Sequence, residues 1–320
     1  ADVVVSASPA GQASSAVDNT TGILQAGGSV TVHALTMQNT KGTVLARNGD
    51  VLLSADTNND ALQSLEDTNG TLQAGRDLSL TANALTGQAS LSAGRNLTFT
   101  TPGDFSTPTT FVSGQDTTLR IGGAYTIATG SGIDASGNAT VQAASVSNAG
   151  AMMAGGTLTV STPGAIANSG LMEGDGSIVL QLDGELTNIS AAILSNNGSI
   201  SIGGRSGRFA GAVINRSGEI MADNANGDVS IEAASLTNDI LGGVTVTPDY
   251  VYYDKKYTLG EYQLADRPQM NPSFKDYGAL VKYYQQVMRI YVPEQFYSSD
   301  GQPGHGYVLT YFNGAAASDF

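Results

Sequence analysis

The sequence predicts an all-β protein whose main part is a parallel β-helix of about ten coils, each of roughly twenty residues. Three observations predict this fold. Similar segments recur through most of the chain, apolar residues alternate within each segment, and Gly, Asn and Thr, which are poor helix formers, are abundant. Such a repeat is too short for a strand and a helix but long enough for one coil of short strands.

The first strand of each repeat follows a turn that usually contains Gly, as in LQAGGSVTVHA (24–34), LQAGRDLSLTA (72–82) and LSAGRNLTFTT (91–101). Alternation with period two places every second side chain on one buried face. Successive copies lie 19 to 29 residues apart, and the two longest steps, of 27 and 29 residues, predict insertions. The predicted first strand residues are Val30, Val51, Leu78, Leu97, Thr117, Ala139, Leu158, Ile178, Ile200 and Val229.

A second element, an apolar residue two positions before an Asn, precedes the return to the next coil. Gly and Asn tolerate positive φ best, so we expect them at the coil corners for that reason. Asn side chains that recur at one corner can also stack into an amide ladder. The pairs are Met37 and Asn39, Val146 and Asn148, Ile166 and Asn168, Leu186 and Asn188, and Leu236 and Asn238, with Ile214 directly before Asn215.

Composition and charge narrow the function. The chain has no Cys, which excludes disulfides and thiolate sites, and its net charge of −14 argues against a nucleic-acid partner. No apolar run reaches the ~18 residues of a membrane-spanning helix. No signal peptide opens the sequence, and its first residues already read as part of a repeat, so we expect a fragment from inside a larger polypeptide.

The repeat unit follows the pattern A-G-x-D/N-L-x-L-x-A, most clearly in AGRDLSLTA (74–82) and AGRNLT (93–98). Over residues 20–245 it resembles the filamentous-haemagglutinin repeats of bacterial two-partner-secreted exoproteins. The resemblance implies a right-handed β-helical filament that an outer-membrane transporter exports to the cell surface. Some members of this family are adhesins. Others are effectors of contact-dependent growth inhibition, with a receptor-binding region along the stick and a C-terminal toxin. No toxin-like segment is visible in this sequence.

The composition changes after residue 247, which predicts a β-helical domain at 1–247 and a different segment at 248–320. Twelve of the 13 Tyr lie in this second segment, and its net charge is −2 against −12 for the repeats. Its pattern predicts a mixture of strands with one helix over 274–290 and a strand over 306–312. Tyr is typical of recognition surfaces. The predicted receptor-binding residues are Tyr250, Tyr252, Tyr253, Tyr257, Tyr262, Tyr283, Tyr284, Tyr291, Tyr297 and Tyr311.

Three functions follow from these patterns. The first is a cell-surface recognition module of a growth-inhibition effector, a monomeric fragment that binds an outer-membrane protein of neighbouring bacteria, with a surface glycan as the alternative partner. The second is a structural segment of an adhesin filament, in which the Tyr-rich segment caps the open sheet edges or packs along the rod. The third is a polysaccharide-acting β-helix enzyme, the least favoured of the three.

Catalytic signals are weak. The two His, His33 and His305, lie far apart in sequence, and no Ser-His-Asp arrangement can be assembled from them. Asp175, Asp183 and Glu185 are the carboxylates checked for glycan chemistry, and no basic or aromatic platform recurs beside them in the sequence. We therefore predict no enzymatic activity and no cofactor.

One segment superficially resembles a calcium loop. Asp56, Asn58 and Asp60 have its spacing, with Glu66 and Asp67 beyond, but Ala61 occupies the position where such a loop needs Gly. These residues fall inside the 27-residue step. A solvated insertion loop without a metal is the preferred interpretation.

Overall fold

The alternating segments fold as stacked strands in the computed structural model, which describes residues 1–6, 15–239, 288–292 and 307–311. The chain divides into two compact units, Ala1–Gly243 and Val244–Phe320. The first unit is the predicted parallel β-helix. Three parallel sheets run along it, because each coil contributes one short strand to each sheet in turn.

The first sheet, sheet 1, confirms the predicted repeat register. All ten predicted first strand residues begin strands and stand in one column, so that Leu78, for example, pairs with Val51 on one side and Leu97 on the other. The eleventh strand lies before them and pairs Val3 with Val30. At about 4.8 Å per strand the eleven coils extend on the order of 50 Å. The strands of sheet 1 are Val3–Ser6, Val30–His33, Val51–Ser54, Leu78–Thr81, Leu97–Thr101, Thr117–Ile121, Ala139–Gln142, Leu158–Thr162, Ile178–Leu182, Ile200–Gly203 and Val229–Ile231.

Sheet 2 has ten strands, which directly precede the sheet 1 strands along the chain. The Gly-containing turns of the repeat connect the two sheets. The strands of sheet 2 are Ile23–Ala26, Thr43–Ala46, Thr71–Ala74, Ala89–Ala93, Thr109–Ser113, Gly132–Ala135, Ala151–Ala154, Leu171–Gly174, Ala192–Ser195 and Glu219–Ala222.

Sheet 3 closes each coil and carries the predicted apolar-x-Asn element. It has two parts, of four and six strands. Both predicted insertions lie between a sheet 1 strand and a sheet 3 strand: one spans 55–63 and the other contains the single 3-10 turn of the described residues, Arg205–Gly207. The strands of sheet 3 are Ala16–Asp18, Thr36–Gln38, Ser64–Glu66 and Leu85–Thr86, followed by Ala124–Ile127, Ser145–Asn148, Ile166–Asn168, Leu186–Ile189, Ala210–Arg216 and Ala233–Asp239.

The inward residues of the three sheets form one apolar column. Leu80 and Leu158 are fully buried, whereas their outward neighbours Ser79 and Thr159 are partly exposed. Where sheet 3 is interrupted, aromatic rings fill the column: the ring centroids of Phe99 and Phe105 lie 4.8 Å apart, and Tyr125, whose pKa is raised by burial, continues the stack. Large rings replace the missing strand by filling its volume.

The predicted amide ladder runs along sheet 3. In its longer series, each Nδ2 donates to the Oδ1 of the next Asn at 2.8 Å. The members of this series are Asn148, Asn168, Asn188, Asn215 and Asn238. In the last coils the inward apolar residue before Asn215 is Val213, paired with Leu186, and not Ile214 as the sequence predicted. The strand places Ile214 on the outer face, because residues one apart alternate between faces.

The corners confirm the prediction for Gly and Asn only in part. In the described residues, positive φ at the corner after the ladder falls on Asn69, Gly87 and Gly130, but also on Thr21, Lys41, Ser190 and Ser217. The glycines between sheets 2 and 1 are needed because neighbouring coils approach closely: a Cβ on Gly94 or Gly114 would lie 2.3 Å from the carbonyl oxygen of the glycine one coil before. Close backbone stacking, not a left-handed conformation, selects Gly there.

A second ladder follows the corner before sheet 1. The residue that precedes each strand is a short polar one, and in most coils its side chain accepts the backbone N–H of its equivalent in the next coil. Asp50 Oδ1 accepts from Asp77 N at 3.1 Å, Asp116 Oδ1 from Asn138 N at 2.8 Å, and Asn138 Oδ1 from Thr157 N at 2.9 Å. This ladder explains the D/N position of the repeat, because only a short acceptor reaches the next coil.

Two strands of the second unit are described, Met288–Val292 and Tyr307–Tyr311, which pair antiparallel. The second lies where a strand was predicted. The predicted helix over 274–290 is wrong at its end, because 288–290 are extended and their backbone groups pair across the ribbon. β-Branched and aromatic residues with a cross-strand partner override a helical spacing of apolar residues. No helix within the described residues is long and apolar enough to cross a membrane.

Candidate functional site

The predicted receptor-binding tyrosines fall almost entirely outside the described residues. Tyr291 and Tyr311 lie in the antiparallel ribbon, where Tyr291 pairs with Val308 and Tyr311 with Met288. The ribbon therefore brings the chain around Tyr291 and Tyr311 into one two-stranded sheet. The tyrosines outside the described residues are Tyr250, Tyr252, Tyr253, Tyr257, Tyr262, Tyr283, Tyr284 and Tyr297.

The half-buried His33 lies beside a serine. Its Nδ1 is 3.0 Å from Ser54 Oγ, which in turn donates to the carbonyl oxygen of Asp56 at 2.8 Å. The hydroxyl proton is thus committed to a backbone carbonyl, and the geometry makes His33 Nδ1 the donor to Ser54. Ser54 is also fully buried. This pair packs a strand end against an insertion loop and lacks the exposed hydroxyl of a nucleophile–base arrangement. His305 lies outside the described residues.

Two of the three carboxylates considered for glycan chemistry have hydrogen-bond partners within the protein. Asp183 Oδ2 accepts from Arg208 Nη2 at 2.8 Å, and its Oδ1 accepts from the backbone N–H of Arg205 at 3.1 Å. Asp175 Oδ1 accepts from Asn197 Nδ2 in the next coil at 2.9 Å. Glu185 is exposed. Asp175 and Asp183 therefore brace turns and loops between coils.

The segment with calcium-loop spacing closes on itself. Asp56 Oδ1 accepts the N–H groups of Asn58 and Asp60, at 2.9 and 3.2 Å, and these hydrogen bonds, that of Asp60 first, lower the pKa of Asp56. Within the described part of the chain, no group of three His, Cys, Asp or Glu residues could hold a metal ion. The exposed carboxylate of Asp56 shapes a solvated insertion loop.

Asp67 does not belong to that loop, contrary to its predicted place in the insertion. It follows the strand Ser64–Glu66 and is fully buried in the first part of the amide ladder, where Asn19 donates to Asn39 at 2.6 Å and Asn39 to Asp67 Oδ1 at 2.7 Å. Its Oδ2 has no hydrogen-bond partner. Burial raises the pKa of Asp67 to about 6, although the bond from Asn39 opposes the rise.

The first part of the amide ladder ends at Asp67, whose carboxylate has no N–H to pass on to a following rung. Because Thr86 pairs with Glu66, the position after Asp67 in the ladder is Gly87, which has no side chain to continue it. Sequence reasoning missed both Asn19 and Asp67 as ladder members. Val17-x-Asn19 and Leu65-x-Asp67 carry the same spacing as the recognised pairs, so the signal was present.

A shallow groove of about 550 Å³ crosses the outer edge of sheet 1, where its strands turn toward sheet 3. It is lined by one polar residue from each of four successive strands, and these residues pair with one another in register. They are Thr100, Arg120, Gln142 and Ser161. Arg205, from the insertion after Ile200–Gly203, completes the polar lining. Two arginines therefore share one surface, contrary to the sequence-based expectation that no basic platform recurs. The insertion places Arg205 there, and its fold is not visible in the repeat pattern.

The comparisons with known proteins add no relative to this picture. No family model, no curated protein and no solved structure matches the chain.

Proposed function

We propose that this protein is a recognition module of a bacterial cell-surface filament, of the kind that contact-dependent growth inhibition effectors carry, and that its Tyr-rich segment binds an outer-membrane protein of a neighbouring cell. The observation that carries the proposal is the succession of a long β-helix and a compositionally distinct segment with twelve of the 13 Tyr. The resemblance of the repeat to filamentous-haemagglutinin repeats supports the family and the secreted, cell-surface location that we propose.

The physical properties of the β-helix support a projecting role. A parallel β-helix is consistent with an adhesin-like filament, since stacked coils extend in one dimension and each coil is stabilised by its neighbours. Two side-chain ladders join successive coils outside the apolar column, through Asn148–Asn168 on sheet 3 and Asp116–Asn138 at the corner between sheets 2 and 1. A ladder along each of two corners resists bending, which suits a stem that holds a binding segment away from a cell surface.

The test is binding of the labelled full chain to bacterial cells. We expect the double variants Tyr252→Ser/Tyr253→Ser and Tyr283→Ser/Tyr284→Ser to reduce saturable binding at least tenfold. Phe209→Ser is the matched control, because Phe209 is an aromatic residue 70% exposed on the first unit. Binding that is saturable but equal in wild type, Tyr variants and control would refute recognition by the Tyr-rich segment.

The alternative is a structural segment of a secreted adhesin, which the regularity of the eleven coils favours. On this hypothesis the Tyr-rich segment stabilises the first unit and binds nothing. The same Tyr variants would then lower the melting temperature. Neither the wild type nor the variants would bind cells above the background signal. Measuring both quantities on each variant separates the two functions.

A further inference from the structure

The arginines of the described residues differ in whether the guanidinium group forms a close ion pair with a carboxylate. Arg95 Nη2 forms an ion pair with Asp77, Arg208 Nη2 lies 2.8 Å from Asp183 Oδ2, and Arg216 Nε lies 2.8 Å from Asp239 Oδ1. Arg76 Nε is 3.6 Å from Asp50, and Arg47 faces the side-chain amide of Gln25. Arg120, within the part of the chain that the structure describes, has neither an ion pair nor a hydrogen bond.

Arg205 also has donors to spare. Its Nη1 lies 3.8 Å from Asp183 Oδ2, beyond hydrogen-bond distance, and that oxygen already accepts from Arg208. Arg120 and Arg205 are the two arginines that line the groove. Two arginines that lack an internal hydrogen bond from the guanidinium group therefore line the same concave surface.

The charge of the surroundings makes this arrangement unusual. Residues 1–247 hold 20 acidic and only 8 basic residues, yet the groove is lined by two arginines and by no carboxylate. A cationic notch on an acidic rod attracts a small anionic group while the rod as a whole repels large polyanions such as nucleic acids. Guanidinium groups bind carboxylates through paired hydrogen bonds.

The neutral part of the lining specifies the rest of the ligand. Thr100, Gln142 and Ser161 present hydroxyl and amide groups along the groove, at the ~4.8 Å strand spacing. Arg120 and Gly203, two residues before Arg205, are four strand steps apart, on the order of 19 Å. An open surface with repeated hydrogen-bonding groups suits a chain of hydroxyl-bearing units, and the two arginines suit acidic substituents on that chain.

We propose that this groove binds an acidic oligosaccharide, with a sugar carboxylate on Arg120, a second one on Arg205, and intervening hydroxyl groups on Gln142 and Ser161. The site lies in the first unit and does not depend on the Tyr-rich segment, so it is a second recognition surface beside the proposed one. No carboxylate is among its lining residues, so the proposed role is binding.

Calorimetric titration of the full chain with acidic tetrasaccharides tests the proposal. The probes are tetragalacturonate, tetramannuronate and a sialic acid tetramer, with methyl-esterified tetragalacturonate as the uncharged counterpart. At least one acidic probe should bind at millimolar Kd or tighter, and its ester at least tenfold more weakly. Arg120→Gln and Arg205→Gln should each weaken the acidic probe at least fivefold.

Arg76→Gln is the matched control, because Arg76 is an exposed arginine outside the groove lining. It removes the same charge and should leave the affinity unchanged. Circular dichroism of each variant verifies the fold, and the Tyr variants, which test the other surface, should bind the acidic probe as wild type does. Failure of all three acidic probes to bind overturns the proposal. Equal binding of acid and ester, or equal losses in Arg76→Gln and the groove variants, overturns it as well.

Discussion

Replacing the buried Asp67 by Asn should change how the stability of the β-helix depends on pH. Burial raises the pKa of Asp67 from 3.8 to about 6 in the folded state. A carboxyl with a raised pKa contributes stability that is fully present below the unfolded pKa and is lost as pH rises through the folded pKa. The free energy of unfolding therefore falls by about 3 kcal/mol in total as the pH rises from below 3.8 to well above 6, at about 1.4 kcal/mol per unit of pKa difference. The amide that Asp67→Asn introduces stays neutral throughout.

The useful window lies above the isoelectric point of about 4.3, where the chain keeps its net negative charge. About half of the cost, roughly 1.5 kcal/mol, develops between pH 5 and pH 8. At roughly 2–4 °C per kcal/mol for a domain of this size, Asp67→Asn should gain about 3–6 °C in melting temperature relative to wild type between these two pH values. The Asn side chain introduces a buried donor that costs about 1–3 kcal/mol if unpaired, but that cost is the same at every pH.

Thermal melts followed by circular dichroism at pH 5, 6, 7 and 8 measure this difference. Asp134→Asn is the control, because Asp134 is exposed on sheet 2 and its loss changes the net charge equally. Two results would refute the reasoning. One is a constant difference between Asp67→Asn and wild type at all four pH values, and the other is the same pH dependence in Asp134→Asn.

Two further predictions concern packing. Leu158→Asp puts a carboxylate into the apolar column and should lower the free energy of unfolding by roughly 4 kcal/mol or more. Thr159→Asp, one residue along on the outer face, should lower it by about 0–1 kcal/mol. Equal losses of stability in thermal melts of the two variants would contradict the strand register. Gly114→Ala places a Cβ 2.3 Å from the carbonyl oxygen of Gly94 and should cost about 1–3 kcal/mol, while Gly103→Ala, with no atom within 4 Å of its Cβ, should melt within about 2 °C of wild type.

The repeat itself could be located from the sequence because its signals are local. Period-two alternation identifies an inward face without knowledge of the neighbouring coil, and the spacing between copies then sets which residues stack. All ten predicted first strand residues, from Val30 to Val229, accordingly begin strands of sheet 1. The Asn series from Asn148 to Asn238 was predictable for the same reason, since identical spacing in each coil brings identical side chains together.

What the sequence alone determined is therefore the fold class, the coil register and the amide ladder, because each depends on contacts between equivalent positions of neighbouring repeats. Only the tertiary structure decided the features that depend on a break in the repeat. The first part of the ladder ends at the buried Asp67, because Gly87 follows it one coil later. Arg120 and Arg205 share a groove because an insertion extends over the outer edge of sheet 1. Such contacts join residues that no common period relates, so the distances between them exist only once the coils are stacked.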